Sequence, residues 1–218
     1  MKTILTFVLI LALHIHLSAQ SNILHRVTDP EVEQWELGEK AGYADEKGNM
    51  VIPLGKYKYC YSEKFDKMAI IGFNDRQGVY AIDRNENVLF EVFIADNGPD
   101  RIQENSFRII SNKKIGYADT NGHVILPPQF DAAWPFREGF AGVSTRSFQK
   151  NGNTSTYVGK WKFINKKGIP INNEEYDDLR SFEDGKASVM KNGKWGKINN
   201  KGVLVTPMKY TFDELLRQ

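Results

Sequence analysis

Short apolar runs alternate with glycine- and asparagine-rich turns along most of the chain. The run Trp161-Lys162-Phe163-Ile164 leads into Asn165-Lys166-Lys167-Gly168, and Val203-Leu204-Val205 follows a second turn of the same kind. An Asp/Asn-x-x-Gly segment favours a type I turn closed by a residue with positive φ, which glycine adopts without a Cβ clash. Flanking runs of this length are typical of strands, so the pattern predicts antiparallel β-hairpins.

This turn-centred pattern recurs five times. Gly193–Gly202 and Gly159–Gly168 share seven of ten residues, and three looser copies lie earlier in the chain. The Asp or Asn that opens the turn stands at positions 45, 83, 119, 165 and 199. Self-similarity at such spacings is typical of repeat architectures. It predicts a repeat domain over 38–218, with copies that begin near residues 38, 76, 113, 159 and 193.

A second motif follows each turn, in which an aromatic residue precedes a phenylalanine by six positions. The pairs are Phe130 and Phe136, Tyr176 and Phe182, and, in the first repeat, Tyr59 and Phe65. The fourth repeat is preceded by an insertion, Thr145–Tyr157, that is rich in Ser, Thr, Asn and Gly. This composition predicts a surface hairpin or loop.

Two positions of the repeat are apolar in every copy. The tryptophan position holds Ala41, Tyr80, Ile115, Trp161 and Trp195, and the inner position holds Ala44, Ile82, Ala118, Ile164 and Ile198. Residues three apart lie on opposite faces of a strand, so we expect both faces of this strand to be covered. The pattern predicts an all-β array of short antiparallel hairpins or three-stranded units that stack on one another. An open β-solenoid and a propeller-like ring are both compatible with it.

The core Gly193-Lys194-Trp195-Gly196, the Asp/Asn-x-x-Gly turn and the later Phe-x-x-Gly-x-Ala segment resemble the WG repeat family. The resemblance extends over residues 38–215 and is weakest at the second copy, where Ala81 and Glu86 replace two signature glycines. In the fourth copy Lys162 replaces another glycine. The resemblance implies a β-rich, non-catalytic repeat with an interaction-related role, and it supplies no catalytic residues.

Residues 1–19 have the features of a secretory signal peptide. Lys2 gives a positive start, Ile4–Leu13 is a mostly apolar run, and Ser18-Ala19 are small residues near a cleavage site. The apolar run is shorter than the ~20 residues that a membrane-spanning helix needs. We therefore expect cleavage after Ala19 or Gln20 and export to the periplasm or the extracellular space.

Two short helices are predicted to flank the array. In the N-terminal cap segment, residues 20–37, Asp29-Pro30-Glu31 places a capping residue before a proline at the first helical position. At the other end, Thr211 and Glu214 have the spacing of a capping box. The alternative for the C-terminus is that residues 212–215 form a further copy of Tyr176–Leu179.

Composition excludes several classes of protein. With 41% hydrophobic and 26% charged residues, the chain is too apolar to be disordered. Its net charge of +2 gives no basic field for nucleic acid. The single cysteine, Cys60, cannot form an internal disulfide, so stability must come from packing. Beyond the first apolar run no segment is apolar enough to span a membrane.

No catalytic or metal-binding constellation stands out, so we expect a non-enzymatic protein without cofactor or metal. His25 and His123, the histidines outside the leader, are too few for a multi-histidine zinc site. Asp119–Gly122 matches part of a calcium loop but lacks its distal glutamate, and we interpret it as a turn. The acidic run Glu174–Asp178 supplies the alternative of a hydrolase with paired carboxylates, although a solvated turn is favoured.

Four aromatic residues are candidates for ligand binding: Trp134, Tyr157, Trp161 and Trp195. Aromatic faces bind the C–H faces of sugars and peptide side chains well, but such residues also serve in cores. Trp134 lies in a turn, so we expect it to be the most exposed. The leading hypothesis is a scaffold that binds another macromolecule. The alternative is a carbohydrate- or cell-wall-binding module, so the expected partner is an unknown protein or an envelope glycan.

The leader prediction is checked by sequencing the amino terminus of the exported protein. We expect the mature chain to begin at Gln20 or Ser21, because the small residues near the end of the apolar run mark the cleavage site. A mature chain that begins at Met1 would contradict the prediction.

Overall fold

A computed structural model describes residues 23–29, 40–145, 148–151, 154–157 and 159–218. The predicted signal peptide and most of the cap segment, including the helix expected after Asp29, lie outside these residues. The strands are β1 (Leu24–Thr28), β2 (Ala41–Ala44), β3 (Met50–Ile52), β4 (Tyr59–Cys60), β5 (Lys64–Phe65), β6 (Met68–Gly72), β7 (Val79–Asp83), β8 (Val88–Val92), β9 (Ile94–Ala95), β10 (Gly98–Pro99), β11 (Ser106–Ser111), β12 (Lys114–Asp119), β13 (Val124–Phe130), β14 (Ala132–Ala133), β15 (Phe140–Ser144), β16 (Phe148–Asn151), β17 (Thr154–Tyr157), β18 (Trp161–Asn165), β19 (Asp178–Leu179), β20 (Lys186–Lys191), β21 (Lys194–Asn199) and β22 (Leu204–Tyr210).

The strands form five successive antiparallel units, which we number by the turn residue at their centre: Asp45, Asp83, Asp119, Asn165 and Asn199. Unit 1 has the strand order β3-β2-β1-β5, unit 4 the order β14-β15-β18, and unit 5 the order β19-β20-β21-β22. Units 2 and 3 share one sheet, β13-β12-β11-β8-β7-β6-β4. Each of these sheets has two end strands, so none of those described closes into a barrel. The predicted all-β repeat fold is confirmed.

The insertion ahead of the fourth repeat forms a hairpin, as predicted. Strand β16 pairs antiparallel with β17, with Phe148 opposite Tyr157. At the C-terminus the chain forms α1 (Phe212–Leu215), and Thr211 and Glu214 make both hydrogen bonds of the capping box. The helical prediction is therefore confirmed over the alternative of another repeat copy. Leu215 is buried, and the Phe212 ring lies 4.8 Å from that of Trp195, so the helix covers one side of unit 5.

Each central turn is closed by its Asp or Asn side chain. At Asp119, Oδ1 accepts hydrogen bonds from the backbone N–H groups of Asn121 and His123, both at 2.9 Å. The same two bonds, to the residues two and four positions on, occur at Asp45, Asp83, Asn165 and Asn199. The turn geometry is thus identical in all five units, and a carboxylate and an amide serve it equally well.

Unit 2 places Glu86 where the other units have a turn glycine. Glu86 has a φ of +64°, a conformation that costs a non-glycine residue free energy. Its carboxylate accepts hydrogen bonds from Lys56 Nζ, at 2.6 Å, and from the Tyr57 hydroxyl. These bonds tie the end of unit 1 to the turn of unit 2, which accounts for a side chain at a position that favours glycine.

The second glycine of the repeat allows a neighbouring strand to approach. Ile115 pairs with Phe130 and Tyr117 pairs with Leu126, so four residue steps in β13 lie opposite two residue steps in β12. The extra residues, which include the pair Pro127-Pro128, form a bulge opposite Gly116. A Cβ at Gly116 would lie 2.5 Å from the Leu126 carbonyl oxygen and from Pro128 N. Gly196 has the same relation to the carbonyl of Thr206. The glycine is therefore required by backbone contact.

The two departures from this glycine agree with that reason. In unit 2 the expectation that Ala81 replaces this glycine was wrong: counted back from the turn at Asp83, the position is held by Tyr80. Tyr80 faces Glu91 in regular pairing with β8, so no bulge presses on its side chain. In unit 4, where Lys162 stands, the following segment makes only isolated bridges to β18, at Pro170 and Tyr176. The Lys162 side chain therefore occurs in the unit where, within the described chain, no regular outer strand pairs with the central strand.

Both faces of the central strand are covered, as the apolar pattern predicted. All five residues of the inner position are buried, and those of the tryptophan position are buried or half-buried. In unit 2 the tryptophan position is held by the buried Val79 and not, as expected, by Tyr80, because Val79 makes the strand pair that corresponds to that of Ile115. One assignment was wrong: Tyr59 is exposed, whereas Tyr57 is buried in the same cluster as Ala41. In the first repeat Phe65 therefore follows the aromatic by eight positions instead of six, because two extra residues occupy the connection.

Successive units are also joined through their second turns. The Gly139 N–H of unit 4 donates to the Glu104 carboxylate of unit 3, at 3.1 Å from each oxygen. The Gly185 N–H of unit 5 donates to Glu138 Oε2 of unit 4, at 2.8 Å. A carboxylate in one turn thus binds the backbone of the next, which fixes the offset between neighbouring units.

The glycine contact predicts a large effect of one methyl group. Gly116→Ala should lower the free energy of unfolding by about 3 kcal/mol, because the added Cβ meets backbone atoms that cannot move without breaking the β12–β13 pairing. Gly98→Ala is the matched control, since nothing lies within 4 Å of a Cβ there. Urea unfolding measures both, and equal midpoints for the two variants would refute the argument.

The turn carboxylates predict a loss of stability in acid. Hydrogen bonds from Asn49 hold the pKa of Asp45 below its usual 3.8, and those from Asn87 do the same for the pKa of Asp83. At Asp119 partial burial opposes ionisation, but bonds from His123 and Asn121 outweigh it and lower the pKa. Because these folded-state pKa values lie below the unfolded one, the stabilisation is present above pH 3.8 and disappears as the pH falls through the lowered values.

Replacing the three aspartates together, by Asp45→Asn, Asp83→Asn and Asp119→Asn, should therefore reduce the stability lost between pH 7 and pH 3. The turns should survive, because Asn165 and Asn199 already form them with an amide. Urea midpoints at the two pH values test this. An identical acid-induced loss in the triple variant and the natural chain would show that the turn carboxylates do not contribute.

Candidate binding site

A cleft of about 750 Å³ opens where units 3, 4 and 5 meet. The apolar residues of its wall are Phe93, Ile110, Ile115, Ala132, Ala133, Trp134, Trp161 and Met190. Charged side chains at Arg108, Lys113, Asp131, Asp177 and Asp178 complete the lining. A concave, largely apolar surface with a few charged groups is the usual form of a ligand site.

Trp134 is held by its backbone, and its ring stays accessible. Its N–H donates to the Gly142 carbonyl at 2.9 Å, and its carbonyl accepts from the Tyr117 hydroxyl of unit 3 at 2.7 Å. The side chain is nevertheless 38% exposed, as its position in a turn predicted. Because hydrogen bonds fix the backbone of Trp134 from two sides, the residue loses little backbone conformational entropy when a ligand binds.

Trp161 supplies the neighbouring ring. It opens β18 and exchanges two backbone hydrogen bonds with Tyr176, each of 2.8 Å. The centres of the Trp134 and Trp161 rings lie 6.3 Å apart, with 55° between their planes. Trp161 is half-buried, so the pair presents one ring to solvent and supports it with the other.

The acidic groups of the cleft are neutralised by partners. Lys114 pairs with Asp131, and Lys160, at the corresponding place in the next unit, pairs with Asp177. Arg180 binds Asp178 at 2.8 Å. The bond from Lys160 is the main reason that the pKa of Asp177 lies below its usual range.

This charge arrangement bears on the hydrolase alternative. A general acid in a glycosidase needs a raised carboxyl pKa, and the pKa of Asp177 is lowered. Asp177 also accepts a hydrogen bond from the Asn192 backbone N–H at 2.6 Å. Its interactions therefore fit a residue that fixes a turn.

Trp195 does not reach the cleft. It is 7% exposed and lies against Phe212 of the terminal helix, with the Arg180 guanidinium 5.0 Å from its ring centre. Arg180 occupies in unit 5 the place of Trp134, since both follow the repeat's aromatic by four residues and both donate their N–H to the next strand. The fourth candidate, Tyr157, ends β17, and its side chain lies outside the described part of the structure.

The structure thus unites Trp134 and Trp161 and adds a wall that sequence reasoning missed. Phe93 and Ile110 come from unit 3, and their approach depends on how units stack. Arg108 is held among them by a buried ion pair with Asp100, at 2.6 Å, and lies over the Phe93 ring. The sequence offers one indication of this site: at the repeat position where unit 5 has Arg180, unit 4 has the aromatic residue Trp134.

Other candidate chemistry is accounted for by packing. Cys60 is buried, and burial raises the pKa of its thiol to about 11, so the thiol stays protonated at neutral pH. Among the described residues, no group of three or more His, Cys, Asp or Glu side chains is placed to hold a metal ion. The same residues contain no helix that is long and apolar enough to cross a membrane.

The five successive hairpin units place the chain in the class of β-repeat proteins. Three segments, residues 42–76, 115–146 and 163–195, match the family model of the WG containing repeat. The chain therefore belongs to the WG repeat family. The copies around Asp83 and Asn199 lie between and beyond the matched segments, yet they have the same turn geometry. No curated protein sequence matches the chain.

Proposed function

We propose that this protein is an exported, non-enzymatic scaffold that binds another macromolecule at the Trp134–Trp161 cleft. The observation that carries the proposal is the exposed Trp134 ring, held from two sides over a mostly apolar cleft. Exposed tryptophan at a concave apolar surface is the kind of residue that dominates binding energy. Export rests on the leader at residues 1–19.

The absence of catalysis is part of the proposal. The carboxylates of the cleft are tied up in ion pairs, and the pKa of Asp177 is shifted away from the value that a general acid needs. Such pairs leave the aromatic and apolar wall as the main source of affinity. No cofactor and no nucleic acid enters this scheme.

A second candidate function is the binding of an envelope carbohydrate. It is favoured by the Trp134 and Trp161 pair, because sugars present C–H faces that stack on an exposed ring. The protein and glycan alternatives use the same cleft and differ in what they place against the ring. They are separated by a retention experiment.

Purified protein is applied to immobilised envelope glycans, and Trp134→Ala is compared with Tyr59→Ala, which removes an exposed ring that does not line the cleft. If the ligand is a glycan, Trp134→Ala should weaken retention about tenfold, which corresponds to about 1.4 kcal/mol of lost stacking. The Tyr59→Ala variant should be retained like the natural protein. Equal retention of both variants would remove the glycan candidate.

The protein alternative is tested by photo-cross-linking in the cell envelope. Benzoylphenylalanine in place of Trp134 should give a discrete cross-linked product with a partner protein. The same group in place of Tyr59 should give none. If the cross-linking patterns of the two variants are identical and glycan retention does not depend on Trp134, the cleft is not a binding site.

A further inference from the structure

The hairpin loop between β11 and β12 has a lysine at a position that favours glycine. The loop consists of two residues, Asn112-Lys113, with φ of +49° and +62°. A two-residue loop in which both residues have positive φ favours Asn-Gly, because glycine adopts this conformation without a Cβ clash. The corresponding loop of unit 5 has that sequence, Asn192-Gly193, with φ of +53° and +71°. Lys113 therefore stands in a strained conformation where the same repeat elsewhere uses glycine.

No interaction within the described chain accounts for this strain. Asp and Asn adopt positive φ more readily than other non-glycine residues, and the remaining described cases are three glutamates and Lys113. The carboxylates of Glu86, Glu104 and Glu138 each bind a neighbouring unit. The Lys113 side chain is exposed and makes neither an ion pair nor a hydrogen bond with any residue that the structure describes. A strained residue without an internal partner indicates a role outside the fold itself.

Lys113 also sets the charge of the Trp134–Trp161 cleft, whose wall includes its side chain. Five charged side chains line the described part of this cleft, and four of them have partners inside the protein. The pairs are Arg108 with Asp100, Asp131 with Lys114, Asp177 with Lys160, and Asp178 with Arg180. The cleft therefore offers a ligand one unpaired cation beside an apolar wall.

We propose that the cleft binds a peptide segment of a partner protein in which an apolar side chain lies next to an acidic one. The apolar side chain would pack on Trp134, and the carboxylate would pair with Lys113. The proposal rests on the proposed function, since it names the chemistry of the partner at the same site. Charge complementarity argues for this occupant, because an unpaired cation attracts a carboxylate and repels a basic segment.

The lining favours a peptide over a sugar. The hydroxyls of a sugar need hydrogen-bond partners when they leave water, and a site for them supplies free polar side chains. Here the carboxylates are already bound to lysine or arginine, and the Arg108 guanidinium binds Asp100 and the Ala133 carbonyl. Phe93, Ile110 and Met190 supply apolar contact instead. Such a wall suits an apolar side chain, with the charged contact left to Lys113.

The test is a selection from random seven-residue peptides displayed on phage, carried out on the purified natural protein and three variants. On the natural protein we expect enrichment of sequences with an aromatic residue or leucine next to Asp or Glu. Lys113→Gly should lose the preference for Asp or Glu and keep the apolar preference, whereas Trp134→Ala should lose both. Lys201→Ala removes an exposed lysine that does not line the cleft, and it should select like the natural protein.

Fluorescence anisotropy with the most enriched peptide then measures the contribution of the lysine. Lys113→Gly should weaken binding about fivefold, the upper range for an ion pair at a surface, and high salt should abolish the difference. Lys113→Arg keeps the charge and should bind like the natural protein. The urea midpoint of Lys113→Gly should equal or exceed that of the natural protein, because glycine relieves the positive φ. A lower midpoint would assign the lysine to the fold and overturn the proposal.

The outcomes separate this proposal from the function on which it rests. Enrichment that depends on Trp134 without a preference for Asp or Glu, or a preference that survives Lys113→Gly, would overturn the proposal and leave the cleft as a binding site. Retention on glycans that depends on Trp134, with no enriched peptide, would overturn it by naming a sugar as the occupant. If neither peptide selection nor glycan retention depends on Trp134, the proposed function fails as well.

Discussion

The side-chain oxygen of one Asp or Asn per unit holds two backbone amides, and the rest of the structure depends on this bond. It sets the turn, and the turn sets which residues of the two flanking strands stand opposite each other. Because a strand's faces alternate with every residue, a slip of one position would turn Ala118 and Ile198 towards water. Each such hydrogen bond contributes only about 1 kcal/mol, so its importance lies in fixing register. The core follows from the register, since the tryptophan and inner positions are then covered on opposite sides.

Stacking adds a second constraint, which operates between units. The carboxylate of Glu104 binds the turn of unit 4, and that of Glu138 binds the turn of unit 5, so neighbours are held at a fixed offset. Glu86 performs a related task at the junction of units 1 and 2, with a residue that strains the turn it occupies. Units that are individually too small to bury their apolar faces thereby form a series of hydrophobic clusters along the array.

Much of the unit could be predicted from the sequence, because its determinants are local. The Asn165 and Asn199 turns, the buried inner position and the capping box at Thr211 all depend on residues within a few positions of one another. The identity of the aromatic residue in the first repeat could not be predicted in this way. The choice of Tyr57 over Tyr59 depends on the length of the connection to Phe65, which differs from that in the other units. The candidate site was predicted in part. Trp134 followed from its turn, whereas Phe93 and Ile110 reach the cleft through stacking that the sequence does not encode locally.

Departures from the repeat mark the places where this molecule differs from a plain array. At one repeat position unit 5 has Arg180, which lies over Trp195 and completes the core, while unit 4 has Trp134, whose ring meets solvent above Trp161. The backbone hydrogen bond is the same in both, so the exchange of side chain alone turns a packing position into an exposed aromatic surface. In a repeat protein, function is therefore best sought where a side chain or a neighbour changes while the backbone does not.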